Sequence, residues 1–233
     1  MSDYTLYYWP VPFRGEFIRA ILAHAGKTWD EPEVSTLVAV MEDAAGEQPA
    51  PFMGPPVLVD AAADFTVSQM PAIALYLGDT LGLLPPSPQG RAMTLKIVAD
   101  ANDVIDEITL NGGREMWTPA TWADFVPRLR RWMSIFEATG QRHGLQRDHG
   151  LMLGGDAIGV ADIVTATLWS TLRRVLPRIG AILDETAPGI AALSRRVWQT
   201  PALAAWDKES VRRYGDSYCG GQIEKSLKRA VNG

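Results

Sequence analysis

Two adjacent tyrosines, Tyr7 and Tyr8, sit in an aromatic, β-forming stretch (residues 4–9, YTLYYW) that breaks at Pro10 and Pro12, and Arg14 follows the break. Beyond it, Phe17, Ile18, Ile21, Leu22 and Ala25 recur with helical spacing until Gly26 supplies a stop. The pattern predicts a strand, a notch, and a helix with an arginine in its first turn. A phenol can hydrogen-bond an anionic atom, a helix start aims N–H groups and positive dipole the same way, and a guanidinium suits a carboxylate. Period-two alternation sends the rings of Tyr7 and Tyr8 to opposite faces, so only one can serve a ligand in the notch. Two plainer readings stand beside this one. The tyrosines are ordinary strand formers beside a core, and Arg14 is solvated, although an arginine at a helix N-terminus opposes the macrodipole.

The other reactive side chains narrow the chemistry. Cys219 is the only cysteine, which excludes an intrachain disulfide and a Cys-x-x-Cys site, so thiol chemistry must use a thiol from another molecule. His24, His143 and His149 show no ligand spacing, and no metal is expected. The net charge of −5 argues against a nucleic-acid partner. Between Lys27 and Arg91 the chain has no basic residue, whereas Asp30, Glu31, Glu33, Glu42, Asp43, Glu47, Asp60, Asp64 and Asp79 all fall there. No apolar run reaches the length needed to span a bilayer, and residues 1–4 have neither the basic region nor the apolar core of an export signal. A cytoplasmic protein without membrane partners is the expectation.

These residues need elements to hold them. A chain of 233 residues suits two modest domains, each with its own core. Strand and helix signals alternate first: the strand and helix around the notch, a short strand over 29–34, a Pro- and Gly-punctuated loop over 44–56, strands at 57–60 and 65–68, and a helix from Met70. Residues 82–90 contain three prolines and form the clearest break. The expected division is an α/β domain over 1–83, a linker over 84–90 and an all-α domain over 91–233. Helices are predicted at 91–114, 121–143, 160–176, 188–198 and 201–213.

Four segments, in this order, resemble the cytosolic glutathione transferases, and together they cover nearly the whole chain. YTLYYWPVPFRGEFIRAIL resembles the first strand and helix of the tyrosine-type classes (pi, mu, alpha and sigma-like). GPPVLVD resembles the segment where that family keeps a cis-proline, VSQMPAIALYLGDTLGL its helix for the γ-glutamyl end of glutathione, and GDAIGVADIVTATLW the capping segment of a central helix. The resemblance implies a thioredoxin-like first domain, a helical second domain, glutathione as co-substrate and a homodimer. In the capping segment Gly159 falls at the N-cap, Asp162 is placed to reach back to its N–H, and Ile158 and Ile163 stand at staple positions.

Residue by residue, the resemblance makes Tyr8 the catalytic tyrosine. A thiol of pKa about 8.5 is only a few per cent ionised at neutral pH, and a phenol donating to sulfur favours the thiolate. It further implies Arg14 as a carboxylate partner, Pro55 as carbonyl acceptor for a ligand amide beside a cis bond before Pro56, Gln69 at the γ-glutamyl end, and Glu107 reaching across a dimer interface to its ammonium. The chain departs from the family at Met70, where a Ser or Thr hydroxyl normally stands, leaving the backbone N–H. The loop before the cis-proline also lacks the usual Lys and Trp, since residues 35–54 contain neither. Trp117, Trp122 and Tyr214 are candidates for the wall of an electrophile pocket. A cysteine-type oxidoreductase is excluded because Pro12 and Phe13 occupy the place of its reactive cysteine.

The expected function is a detoxifying transferase conjugating the glutathione thiolate to an apolar electrophile, with peroxide reduction as a side activity. The competing expectation is a binding or regulatory protein that keeps the fold with weak or no glutathione affinity. Tyr8, Arg14, Gln69 and the proline pair favour the enzyme; Met70 and the missing basic residues favour its rival.

Overall fold

Four short strands frame the first part of the computed structural model, which describes residues 2–232 apart from the side chain of Asn111. Met1 and Gly233, the outer ends of the two expected domains, lie outside the described residues. The order is β1 (Tyr4–Tyr7), α1 (Phe13–His24), β2 (Trp29–Asp30), α2 (Val34–Glu42), β3 (Val57–Asp60), β4 (Phe65–Ser68) and α3 (Met70–Thr80). The sheet runs β2-β1-β3-β4, with β1 parallel to β2 and antiparallel to β3. Helix α1 makes the crossover that a parallel pair requires. This is a thioredoxin-like domain, followed by a helical one.

Register decides what meets at the sheet's edge. Tyr7 lies opposite Val57, and Val57 opposite Ser68. One step further out, Tyr8, Pro56 and Gln69 are therefore neighbours at the same end of the sheet. The Pro55–Pro56 bond is cis, and the Gln69 N–H donates to the Pro56 carbonyl at 3.2 Å, tying the start of α3 to that segment.

The structure differs from the sequence expectation after β2. The strand stops at Asp30, before Pro32, and Val34, expected at the end of that strand, instead opens α2 together with residues 35–42, for which the sequence pattern predicts no element. Val34, Val38 and Val40 are strand formers, but Pro32 cannot extend the ladder, so the segment satisfies its backbone as a helix anchored by the buried Leu37.

The remaining helices are α4 (Pro88–Ile108), α5 (Leu110–Gly113), α6 (Pro119–Arg142), α7 (Val160–Val175), α8 (Pro177–Thr186), α9 (Pro188–Trp198), α10 (Pro201–Tyr214) and α11 (Gly221–Asn232). Helix α7 is buried on nearly every side and packs against α4, α8, α9 and α1, as a helix without a polar face must. C-terminal to α7, prolines at 177, 188 and 201 each start a new helix. Trp117 and Trp122 are not pocket walls, contrary to expectation. Both are buried, clustered with Phe125 at centroid separations of 5.2–5.8 Å, and Trp117 Nε1–H donates to the Ile108 carbonyl at 2.8 Å. Among the described residues no helix is long and apolar enough to cross a membrane.

The start of α7 shows why glycine stands at its cap. Val160 N–H donates to the Leu83 carbonyl at 3.0 Å, and a Cβ on Gly159 would lie 2.9 Å from that oxygen. Asp162 completes the turn, accepting from Gly159 N–H at 2.9 Å and from Met152 N–H at 2.7 Å while buried. Asp162→Ala leaves both donors without their acceptor, and unfolding in denaturant should show a loss of about 3 kcal/mol; a change below about 0.5 kcal/mol would show that this cap is not structural.

Candidate active site

Tyr8 leaves the end of β1 and lies almost fully buried against the first turn of α1. Its hydroxyl oxygen accepts the Arg14 N–H at 2.9 Å. That donor is one of the first backbone N–H groups of α1, which have no intrahelical acceptor. Close approach is possible because the next residue is Gly15: a Cβ there would fall 2.3 Å from Tyr8 Cδ1. Burial pushes the Tyr8 phenol up to about 12, against the opposing pull of the Arg14 charge and its backbone hydrogen bond. At neutral pH the group therefore keeps its proton. The oxygen accepts from the helix, and the O–H remains a donor.

Arg14 is tied down on the opposite side. Its Nε donates to Asn102 Oδ1 at 3.2 Å and its Nη2 to Asp106 Oδ1 at 3.1 Å, both on α4. The guanidinium that the resemblance assigns to a ligand carboxylate thus also joins the two parts of the chain.

At the other end of the notch, Gln69 has a left-handed backbone (φ 73°) and is exposed, an unusual conformation for a residue with a side chain. Met70 is 0% exposed and its side chain belongs to the core beneath α3. What it presents to the notch is its backbone N–H in the first turn of α3. Pro55 is half-buried beside the cis bond. Glu107 is on α4 and pairs with Arg128 of α6 at 3.7 Å. Sheet register brings together Tyr8, the Pro55–Pro56 pair, Gln69 and Met70; Glu107 does not join them within this chain.

Beside Tyr8 opens a cleft of about 290 Å³ with Pro10, Glu31, Val34, Arg213 and Tyr214 on its walls. Arg213 and Glu31 pair across it at 3.5 Å. Tyr214 lines this cleft, unlike the two tryptophans. Helical spacing gave no notice of Glu16 and Arg19, which are fully buried on α1; their one sequence signal is that they form an i,i+3 pair of opposite charge within an apolar helix. Among the described residues no group of three His, Cys, Asp or Glu is placed to hold a metal.

A family model described as "Glutathione S-transferase, C-terminal domain" matches residues 93–230. Glutathione S-transferase P of Bos taurus is 30% identical over 209 residues, 88% of this chain and 92% of that protein. The chain belongs to the cytosolic glutathione transferase family. Glutathione S-transferase P of Capra hircus is 28% identical over 209 residues, with the same coverage of 88% and 92%. Among solved structures, a glutathione transferase of Necator americanus described as monomeric matches with a TM-score of 0.70 at 23% identity, covering 89% of this chain and 97% of that one. A Nu-class glutathione transferase of Haemonchus contortus matches with a TM-score of 0.68 at 22% identity and the same coverage, 89% and 97%. These likenesses show the glutathione transferase fold.

The burial of Met70 changes what a substitution there would do. Met70→Ser places a hydroxyl where the family has one but removes a fully buried side chain, and the stability lost is on the order of 2–5 kcal/mol. The expected result is a lowered melting temperature with no gain in glutathione affinity by calorimetry. Tighter binding at unchanged stability would show that the side chain faces the ligand.

Proposed function

We propose that this protein conjugates glutathione to an electrophile and that Tyr8 ionises the thiol. The observation that carries the reading is the neutral, buried Tyr8 hydroxyl fixed on the first turn of α1 by the Arg14 N–H. A thiolate beside it receives the phenolic hydrogen bond and faces the positive end of the helix, both of which favour the ionised sulfur. The sulfur then forms its bond to the electrophilic carbon, and the displaced leaving group departs with its electron pair. Tyr8 acts as donor and never as base, because its proton is held far above neutral pH.

Glutathione would lie along the edge where Tyr8, Pro55 and Gln69 meet, with the Pro55 carbonyl receiving an amide N–H and the Met70 N–H receiving the γ-glutamyl carboxylate. The cleft beside Tyr8 would take the electrophile. Pro10, Pro32, Val34 and the Tyr214 ring give it apolar walls, and Glu33 and the Glu31–Arg213 pair make the rest of its lining polar.

The same anchors support a rival, a glutathione transferase fold with weak glutathione affinity. Residues 28–90 carry no basic group, and Arg14 already has an acidic partner. Retention on glutathione resin with elution by free glutathione separates the two readings. Tyr8→Phe should lower kcat/KM toward chlorodinitrobenzene at neutral pH by roughly ten- to a hundredfold and move the pH midpoint upward, with glutathione affinity little changed. An unaltered pH–rate profile would reject the role of Tyr8.

A homodimer is proposed on the same footing. Phe65 of β4 and Leu95 of α4 are large and exposed, and Phe65 lies against Tyr76, which shares a cleft with Leu95. Such a patch favours a partner. Sedimentation at micromolar concentration should show twice the chain mass, and a monomer there would remove the proposal.

A further inference from the structure

The loop that carries Tyr8 into α1 has a backbone accounting problem. Residues 9–12 read Trp-Pro-Val-Pro, so two of the four have no N–H, and Val11 N–H turns back on the Trp9 carbonyl at 2.8 Å. The Trp9 carbonyl takes that bond and the Pro12 carbonyl accepts the Glu16 N–H at 2.9 Å, which leaves the Val11 carbonyl of this partly buried turn in need of a donor from elsewhere. One side chain supplies it and braces the other two. Arg19, fully buried a turn and a half along α1, donates from Nη1 to the Val11 carbonyl at 2.8 Å and the Pro12 carbonyl at 3.4 Å, and from Nη2 to the Trp9 carbonyl at 3.3 Å.

The other edge of the guanidinium is held by Glu31. Nε donates to Oε1 at 3.0 Å, and Nη2 to Oε2 at 2.6 Å. Glu31 is fixed in turn by Trp29 Nε1–H at 2.9 Å and by Arg213 at 3.5 Å. The guanidinium carbon lies over two rings, 5.5 Å from the Tyr8 centroid and 5.0 Å from that of Tyr214, and Glu16 lies 3.8 Å away. A planar fork with five donors fits this set; an ammonium does not.

We propose that Arg19 is a positioning residue for the reaction: gripped by Glu31, it fixes the carbonyls of the 9–12 turn and so holds the Tyr8 hydroxyl in register with the Arg14 N–H. The inference rests on the reading of Tyr8 as the group that ionises the thiol. Tyr8 and Arg14 stand at the two ends of this turn, so the 2.9 Å contact between them is set by its shape. Because Glu31 neutralises the guanidinium, its action on the sulfur is through geometry more than through charge. The Phe13 N–H, which donates to the Tyr218 carbonyl at 3.1 Å, gives the turn a second support that does not involve Arg19.

The test is the pH dependence of kcat/KM with glutathione and chlorodinitrobenzene, with circular dichroism and melting temperature recorded for each variant. Arg19→Lys keeps the charge and loses the fork. It should raise the pH midpoint by roughly one unit, about tenfold in rate at a fixed lower pH, toward the value of Tyr8→Phe. Combined with Tyr8→Phe, it should add no further shift, as expected for two residues acting on one step. Glu31→Gln, which leaves Arg19 in place with a weaker grip, should shift the midpoint in the same direction by less. A midpoint at the wild-type value in Arg19→Lys, with only the melting temperature lowered, would overturn the inference. If Arg19→Lys does not fold, the same result in Glu31→Gln overturns it. A midpoint unmoved by Tyr8→Phe would instead overturn the reading of Tyr8.

Discussion

Burial of α1 from two sides is the constraint on which the structure turns. The helix packs on α3 within the thioredoxin-like domain and on α7 and α10 of the helical one, and most of its residues, Glu16 and Arg19 included, are shut away from water. Charges placed there require partners, since an unpaired buried ion costs far more than any nearby packing returns. Each partner comes from a different part of the chain. Trp206 of α10 donates its Nε1–H to Glu16 Oε1 at 3.1 Å, Glu31 comes from the end of β2, and the carbonyls come from the turn before α1 itself. Satisfying one helix therefore fixes the relation of the helical domain to the sheet and the path of the chain that carries Tyr8.

The end of the notch distant from Tyr8 is built on weaker terms. A buried thioether and an acidic stretch stand where the resemblance places a hydroxyl and a cationic loop, so a negatively charged tripeptide bound as proposed would rely on backbone N–H groups at the starts of α1 and α3. Helix N-termini serve anions well at short range. They do nothing for long-range attraction, and the acids between Lys27 and Arg91 produce a field of the wrong sign over that surface. Salt that screens this field would weaken binding at the proposed site less than in a relative with a basic loop.

Much of this was legible in the sequence because it depends on local pattern. Strand alternation, the helical recurrence of Phe17, Ile18, Ile21 and Leu22, and the Gly159–Asp162 cap are each set by neighbours a few positions apart, whereas the break expected over 82–90 is shorter, since α4 already starts at Pro88. Proline pairs and Gln69 pointed to the notch through resemblance, and the structure brings them together. Hidden from the sequence were features decided by packing between distant segments. Whether Trp117 and Trp122 face a pocket or a core depends on the course of α4, α6 and α11, and Arg19 looks like any surface arginine until Glu31 and the 9–12 turn close over it. Helix α2 was missed for a different reason: its valines favour a strand, but no neighbouring strand was left for them to pair with.

Two departures from the family, both at helix starts, have opposite meanings. At Gly159 the absent hydroxyl is a matter of space, since the Leu83 carbonyl fills the position a Cβ would occupy and itself accepts a helix N–H. The motif is intact by another route. At Met70 a fully buried thioether stands where the resemblance places a hydroxyl, so the position supplies core volume. Interactions lost at the carboxylate ends are made equally in the ground state and the transition state, and their loss registers in KM. Those proposed at Tyr8 would differ between thiol and thiolate and register in the rate. If Tyr8 acts as proposed, the chain keeps the second set, with its supporting helix and turn, and alters the first, which would separate the capacity to activate a thiol from the capacity to retain the molecule that carries it.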